Sequence, residues 1–315
     1  MYVRTRFFFQ MKSYCILLAL IFIIVGCNHN STTIQKPICK ALLATDFNSM
    51  DELKSVVNLN YLNQSDDSCK GTVQISYTNQ GQTIYSELSD GISEGDIMKA
   101  HKGTILDKVS LAFKAPYAVK IRNELSKIFM LTRRRPTIFG ENDVAFYDLA
   151  QASMRNVLVT KNSFKTVRDS LEKGYINTFN HITAQALITA IFNEDVAYYI
   201  ASVHERFHMP HLVSGKFSTI DLIDTVNYPV DNYIDIVNNE IGQELGKYLK
   251  HKYTINKNTE WTTDFTCKFL NEIHDYYAES FDIQIKPYKI NDRIIRRFSK
   301  KIEAINHMNS YLHIK

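Results

Sequence analysis

The chain has 315 residues, of which 45% are hydrophobic and 22% charged, enough to bury a substantial core in one domain with an appendage or in two small domains. Glycine (11) and proline (6) are sparse while tyrosine and phenylalanine occur 18 times each, which favours a compact, helix-rich protein over a disordered one. The formal net charge of +4 excludes the strong basic excess typical of a nucleic-acid-binding protein.

The first 26 residues resemble a bacterial lipoprotein signal peptide. Lys12 precedes an apolar run, 16–25, and Ile24-Val25-Gly26-Cys27 is similar to a lipobox. The alternative, a transmembrane anchor, needs roughly 20 apolar residues, more than this run provides. The resemblance implies that residues 1–26 are removed and that Cys27 carries the lipid, including palmitate, that holds the protein on a membrane. Asn28 is not the aspartate that retains lipoproteins at the inner membrane, which favours the outer membrane, facing the periplasm.

Loss of this signal removes three of the 37 basic residues and no acidic one, so 34 basic residues remain against 33 acidic ones. This balance again predicts no nucleic-acid partner, and the lipid at Cys27 is the expected contact with the membrane. An oxidising periplasm permits a disulfide. We expect Cys39 to pair with Cys69, because both lie in the N-terminal region, and Cys267 to be buried and free.

The remaining chain predicts a mainly α fold. Residues 27–95 are expected to form a polar tether to about Lys36, one or two short helices within 40–59, and a small β-hairpin. The hairpin is predicted because 72–77 and 84–88 alternate apolar and polar side chains around Asn79-Gln80-Gly81. Residues 96–315 are expected to form a compact helical domain. Its predicted helices begin near Pro116 and then cover 143–157 (capped by Asn142), 164–173, 176–192, 194–209, 231–248, 261–280 and 293–308.

Two short motifs resemble catalytic motifs but are not expected to be catalytic. Gly91-Ile92-Ser93-Glu94-Gly95 matches the G-x-S-x-G nucleophile elbow, but that elbow requires a parallel sheet, which the sequence after it does not predict. Ser93 is therefore expected to cap a helix. His274-Asp275 is expected to be a surface or capping pair.

The stretch 177–243 holds the candidate site, and its first motif is His204-Glu205-Arg206-Phe207-His208. On a helix, the two histidines of H-E-x-x-H share a face and together bind zinc, and Glu205 would polarise a bound water. Glu240 or Glu244, in a segment that resembles the N-E-x-x-x-[DE] helix of thermolysin-like zinc peptidases, would supply a third ligand. Arg206 and Pro210 depart from that pattern.

A wider pattern resembles a bacterial domain family of unknown function. Its blocks are D-A-F-R-H-A-x-x-N-A-L, then A-H-E, then M-D-L-x-N-N-x-x-G, and this chain has counterparts in the same order over about 70 residues. The counterparts are Asn177-x-Phe179-x-His181-x-x-x-Gln185-Ala186-Leu187, His204-Glu205, and Asp235-x-x-Asn238-Asn239-x-x-Gly242. The resemblance implies a polar centre made of His181, His204, Glu205, Asp235, Asn238 and Asn239. Asn177, Asn180 and Gln185 differ from the family's residues.

Two functions from different classes follow. The first is a periplasm-facing lipoprotein with a hydrolase-like site, able to hold zinc, for a peptide, cell-wall or lipid substrate. In it Glu205 is the general base, His204 and Asp235 are catalytic, and His181, Gln185, Asn238 and Asn239 bind or orient. The second is a non-catalytic envelope binding or inhibitor lipoprotein in which the same polar side chains form a structural hydrogen-bond network and Gly242 allows two helices to approach closely.

Overall fold

Helices make up most of the structure, and the predicted mainly α fold with an N-terminal hairpin is confirmed. The computed structural model describes residues 34–160, 163–224 and 227–308, so the signal peptide and Cys27 lie outside the described residues. The chain from Lys36 onward is one compact unit, which includes both the hairpin region and the helices. Within the described ranges, no helix combines the length and the apolar character that crossing a bilayer requires.

The sheet has three antiparallel strands in the order β1-β2-β3: Val57–Leu62, Thr72–Asn79 and Gln82–Ser89. The predicted hairpin is β2–β3, whose register pairs Val73 with Leu88, and its turn uses the positive φ angles of Gln80 and Gly81. Strand β1 was not predicted, and its first three residues lie in the region 40–59, where short helices are expected instead. Its alternation of Val57 and Leu59 with asparagines is a two-residue period, which suits a strand with one buried face.

The helices of the described residues are numbered in chain order. They are α1 (Met50–Lys54), α2 (Glu94–Lys102), α3 (Ile105–Lys114), α4 (Pro116–Lys120), α5 (Arg122–Thr132), α6 (Pro136–Phe139), α7 (Phe146–Asn156), α8 (Asn177–Ile191), α9 (Glu194–His208), α10 (Thr219–Ile223), α11 (Pro229–Lys252), α12 (Thr263–Phe281) and α13 (Arg293–His307). The long helices from α8 onward lie within a few residues of their predicted positions, and α9 ends just before Pro210.

Two local predictions are wrong. Asn142 does not cap α7, which begins four residues later at Phe146. Asp143 is instead drawn into a buried ion pair with Lys301 at 2.9 Å. The helix expected over 164–173 is absent from the described residues of that segment, which holds only a 3₁₀ turn, Val167–Ser170, and a π turn, Glu172–Ile176. The buried Asp169 carboxylate accepts hydrogen bonds from nearby backbone N–H groups and holds this segment as a loop.

The expected Cys39–Cys69 disulfide is also wrong, since both thiols are free. The Cys39 backbone N–H donates to Gln82 at the β2–β3 turn, whereas Cys69 lies just before the other end of β2. Eight residues of extended chain separate these ends by about 24 Å, far beyond the reach of a disulfide. Cys267 is buried and free, as predicted.

Helices α8 and α11 make the most extensive contact between helices in the described residues, and this crossing positions the candidate site. A Cβ atom at Gly242 would lie 2.8 Å from the Ile182 carbonyl oxygen, and one at Gly246 would lie 2.6 Å from that of Ala186. Only glycine therefore allows this approach, which confirms the role expected of Gly242. The core around the crossing is continuous with the inner face of the sheet.

Candidate functional site

Three helices bring the central polar residues together. His181 lies on α8, Glu205 on α9, and Asp235 and Asn239 lie one turn apart on the same side of α11. Apart from the partly accessible His181, these side chains are buried. The structure thus joins residues from all three sequence blocks, which are spread over more than 50 positions of the chain.

Asn239 is the centre of this cluster. Its side-chain Nδ2 donates to Glu205 Oε1 at 2.9 Å, and its Oδ1 lies 2.9 Å from His181 Nδ1. Because the amide nitrogen faces the carboxylate, the amide oxygen must face the imidazole. An amide oxygen only accepts hydrogen bonds, so Nδ1 of His181 carries the hydrogen.

Burial, reinforced by His204, lowers the pKa of His181 to about 3, so its ring is neutral at pH 7. With the hydrogen on Nδ1, the other ring nitrogen, Nε2, is an acceptor, and it lies 3.4 Å from Asp235 Oδ2. Burial and the neighbouring Asp231 and Glu205 carboxyls raise the pKa of Asp235 well above its ordinary value. The raised pKa favours the neutral form of Asp235, which suits its position beside the neutral His181 ring.

Glu205 differs from these two because it titrates close to neutrality. Its side chain is only 2% exposed, and burial is the largest cause that raises its pKa, to about 7; His204 and the Asn239 hydrogen bond oppose this rise. Both protonation states of Glu205 are therefore populated near pH 7. A carboxyl group in this condition is suited to general acid–base chemistry.

The network continues to the surface through Asn177, Asp231 and Lys173, of which the sequence pattern included only Asn177. Asn177 Nδ2 donates to Asp235 Oδ1 at 2.9 Å and to Asp231 Oδ1 at 3.2 Å, and Lys173 Nζ donates to Asp231 Oδ2 at 2.5 Å. Asn177 is thus part of the centre although it departs from the family pattern. The signal for Asp231 was its position one helical turn before Asp235; Lys173 lies outside every motif.

His204 lies at the accessible edge of the cluster. Its Nδ1 is 3.0 Å from the Glu94 carboxylate, whose other oxygen pairs with Arg133 at 2.9 Å. Burial lowers the pKa of His204, but the hydrogen bond to Glu94 and the charges of Glu205 and Glu94 together outweigh that effect, and the net shift is upward. The hydrogen bond from His204 lowers the pKa of Glu94 in turn. His204 is therefore held by an ion pair to the first turn of α2, a partner that the sequence did not indicate.

The proposed zinc ligands His204, His208 and Glu240 do not converge. The two imidazole rings lie 4.5 Å apart, and the Nδ1 atom of His208 lies 3.4 Å from Asn227 Oδ1, which leaves the Nε2 atoms of both rings for a metal. Glu240, however, lies with Glu194 and Glu244 in an acidic cluster, which is the one metal-sized group of ligand atoms found among the described residues. These three predicted ligands do not fit one zinc ion, and we derive no step through a metal.

The acidic cluster is itself neutralised by lysine. Lys247 Nζ lies 2.7 Å from Glu194 Oε1 and 2.6 Å from Glu244 Oε1. This leaves Glu240, whose pKa burial raises to about 7 with Glu244 as a further cause. Glu244, the alternative third ligand, is thus an ion-pair partner of Lys247.

Gln185 and Asn238, which we expected in the site, have other surroundings. Asn238 exchanges two hydrogen bonds with the backbone of Leu42, at 3.0 and 2.9 Å, and so fixes the N-terminal segment to α11. Gln185 accepts a hydrogen bond of 3.4 Å from Gln243, whose own Oε1 is buried without a partner among the described residues. Both side chains thus bond to groups outside the His181–Asn239–Glu205 cluster.

A small cavity lies beside Glu205. It offers about 10 Å³ for the centre of a water molecule, which is room for about one water. The surface that lines it is mostly apolar, but Gln243, whose Oε1 is an acceptor in need of a partner, is among the lining residues. The lining residues are Ser86, Glu87, Leu88, Tyr198, Ala201, Ser202, Glu205, Ile236, Asn239, Glu240 and Gln243.

The two minor motifs have structural roles. Ser93 caps α2 in a reciprocal capping box with Asp96, as predicted. The prediction of a surface pair at His274 is wrong, because this side chain is buried with its Nε2 2.9 Å from Ser153 Oγ and its Nδ1 3.2 Å from the Lys286 carbonyl oxygen. Burial lowers the pKa of His274 to about 4.

Comparison with known proteins adds no identification. No protein-family model, curated protein or solved structure matches the chain. The resemblance to a bacterial domain family therefore stays a prediction, and the function is argued from the site alone.

Proposed function

We propose that this protein is a hydrolase of the bacterial cell envelope, held on the outer membrane by lipid at Cys27, in which Glu205 moves the proton. The substrate class is a peptide, cell-wall or lipid molecule that is reached from the periplasm. The observation that carries the proposal is a buried carboxyl group whose pKa is about 7, next to a cavity with room for one water.

The unfavourable free energy of burying several carboxyl groups at one helix crossing supports a functional role. Glu205, Asp235 and Asp231 are all buried, and their pKa values are all raised by burial. Burying several carboxyl groups together is unfavourable, and apolar side chains of similar size would stabilise the same helix crossing better. Sites of this kind are frequent where pKa values are tuned for catalysis.

In the proposed reaction, Glu205 accepts a proton from a water that enters the cavity, while the oxygen of that water bonds to the substrate's electrophilic carbon. The bond from that carbon to the leaving group breaks, and the proton passes from Glu205 to the leaving group. Asn239 holds Glu205 in place, His181 holds Asn239, and Asp235 lies against the other side of the His181 ring. These three are positioning residues.

The test is hydrolysis by the full chain of a panel of esters, peptides and peptidoglycan fragments. We expect Glu205→Gln to reduce kcat at least about 100-fold, the range for loss of a general base. The matched control is Glu244→Gln, which removes a partly exposed carboxyl one turn beyond Glu240 on α11. The proposal would be contradicted if the wild type and Glu205→Gln hydrolysed every accepted substrate at the same rate. It would also be contradicted if the wild type hydrolysed no substrate of the panel.

The second candidate function is a non-catalytic binding or inhibitor lipoprotein. It is favoured by the completeness of the network, in which Asn239, His181, Asp235, Asn177 and Asp231 all have hydrogen-bonding partners. In that case Asn239→Ala lowers the melting temperature and leaves ligand binding unchanged. An Asn239→Ala protein that keeps its melting temperature but loses function counts against this alternative.

A further inference from the structure

Helix α3 exposes a stripe of large apolar side chains. Ile105, Leu106, Val109 and Phe113 have 78%, 79%, 45% and 85% of their surface accessible, and α3 has no fully buried residue. Ile105, Val109 and Phe113 are four residues apart and share one side of the helix, with Leu106 beside them. A contiguous apolar patch of this kind usually marks an interaction surface.

The stripe faces away from the protein because α3 is attached by its other side. Leu111 packs against a small cluster, separate from the main core, that includes Ile92, Ala118 and Val203. Threonine and aspartate at its start, Thr104 and Asp107, form a capping box, so the helix is stabilised without the stripe. The stripe is therefore free to contact a partner while α3 stays folded.

The chain segment that carries the stripe is rich in exposed basic residues. Between residues 99 and 122 the acidic side chain is Asp107, and its carboxylate already accepts two hydrogen bonds of 2.8 Å from Thr104. The exposed basic residues of this segment are Lys99, Lys102, Lys108, Lys114, Lys120 and Arg122. This excess of positive charge complements a negatively charged partner and repels a second copy of the same face.

We propose that this face docks on an anionic lipid membrane, with the apolar stripe of α3 in the headgroup–acyl boundary and the lysines among the lipid phosphates. An amphipathic helix lying in the membrane plane combines the same two features, an apolar face with a large aromatic side chain and basic flanks. The docking does not depend on the reaction at Glu205. It also differs from attachment through Cys27, because it places a defined surface of the folded chain against lipid.

The test uses Phe113→Trp in the full chain, reconstituted into phosphatidylcholine–phosphatidylglycerol vesicles with brominated acyl chains. The natural Trp261 is 1% exposed, so it contributes a constant background. Bromine quenches only an indole that reaches the acyl chains, and we expect the fluorescence of the indole introduced at position 113 to fall by roughly half. Val159→Trp is the matched control, since Val159 is 84% exposed at a site outside α3, and its signal should remain.

Charge reversal completes the test. Lys108→Glu with Lys114→Glu in the Phe113→Trp chain should restore most of the fluorescence, because it replaces attraction to phosphatidylglycerol with repulsion. No quenching in the Phe113→Trp protein, or equal quenching of indoles at positions 113 and 159, would overturn the proposal. So would an unquenched blue shift that grows with protein concentration, which indicates a protein partner. If Phe113→Trp lowers the melting temperature, Leu106→Trp replaces it.

Discussion

One side-chain amide determines the hydrogen-bonding state of the whole centre. Asn239 donates to Glu205 and accepts from His181, so the imidazole hydrogen is on Nδ1, and the unprotonated Nε2 lies 3.4 Å from Asp235 Oδ2. Replacing Asn239 with aspartate would remove the only donor of that amide and place a carboxylate against Glu205. The protonation of Glu205 thus depends on the orientation of the Asn239 side-chain amide.

Glu205→Gln should change how stability depends on pH. The folded-state pKa of about 7 lies above the ordinary glutamate value, so the folded protein binds more protons than the unfolded chain between about pH 4.5 and 7. Stability from this group is therefore lost as the pH rises through that window. Since a glutamine at this position would remain neutral, the variant should gain free energy of unfolding relative to wild type, by about 3 kcal/mol at most, above pH 7. Urea unfolding at pH 5 and pH 8 measures this, and equal differences at both pH values would contradict it.

His274 makes stability depend on pH in the opposite direction. Its folded-state pKa of about 4 lies below the ordinary histidine value, so its neutral form stabilises the fold above about pH 6.5 and that stability is lost as the pH falls towards 4. His274→Gln should flatten the loss of stability between pH 7 and pH 4.5, by up to roughly 3 kcal/mol. His307→Gln, at an exposed histidine, is the control. If the free energy of unfolding fell equally with pH in wild type and His274→Gln, protonation of this ring would not contribute to the loss of stability in acid.

At the scale of elements, the crossing of α8 and α11 decides whether the site assembles. Gly242→Ala would place Cβ 2.8 Å from Ile182 O and from Gln185 Cβ, one turn from His181 and Asn239. We expect a loss of about 1–3 kcal/mol in the free energy of unfolding, typical of overpacking. Gly91→Ala is the control because its nearest neighbour, the Arg206 side chain, is 3.6 Å away. A Gly242→Ala protein as stable as wild type would show that the helices separate easily.

Periodicity predicted the elements that depend on one continuous pattern. The β2–β3 hairpin and the long helices α8, α9 and α11 were found because alternation and helical spacing persist over many residues. The start of α7 was missed because Lys301, distant in sequence, binds Asp143. Such long-range contacts leave no trace in local sequence.

The site was predictable to a similar degree. His181, Glu205, Asp235 and Asn239 stand out as polar residues at helical spacing within apolar helices, and the structure joins them. Glu94 could not be found, since its contact with His204 spans 110 positions. The H-E-x-x-H pattern placed two histidines together correctly, but the third ligand depended on which way Glu240 faces.

At the scale of the whole molecule, the positions of the thiols are a test of the fold. Cys39 and Cys267 are buried, and burial raises the pKa of Cys39 to about 11, whereas Cys69 is partly accessible. We expect iodoacetamide to alkylate Cys69 in the native protein and the other two only after denaturation. Peptide mass mapping measures this site by site. A Cys39–Cys69 disulfide in the unreduced digest would mean that the sheet is arranged differently.

The molecule combines a closely packed centre with a loosely attached surface segment. The α8–α9–α11 centre lies in the main core, whereas α3 rests on a small separate cluster. Glu94, on α2, connects the two by its ion pair with His204. A protein attached to a membrane by this surface would hold the accessible edge of the centre close to that membrane.

The central claim is that Glu205 is poised to exchange a proton near neutral pH. The most direct measurement is the side-chain carboxyl ¹³C chemical shift of Glu205 in the folded full chain, assigned by its loss in Glu205→Gln and followed from pH 4 to pH 9. We predict a titration midpoint at about pH 7. A midpoint near the ordinary glutamate value of about 4.3 would contradict the proposed role of Glu205.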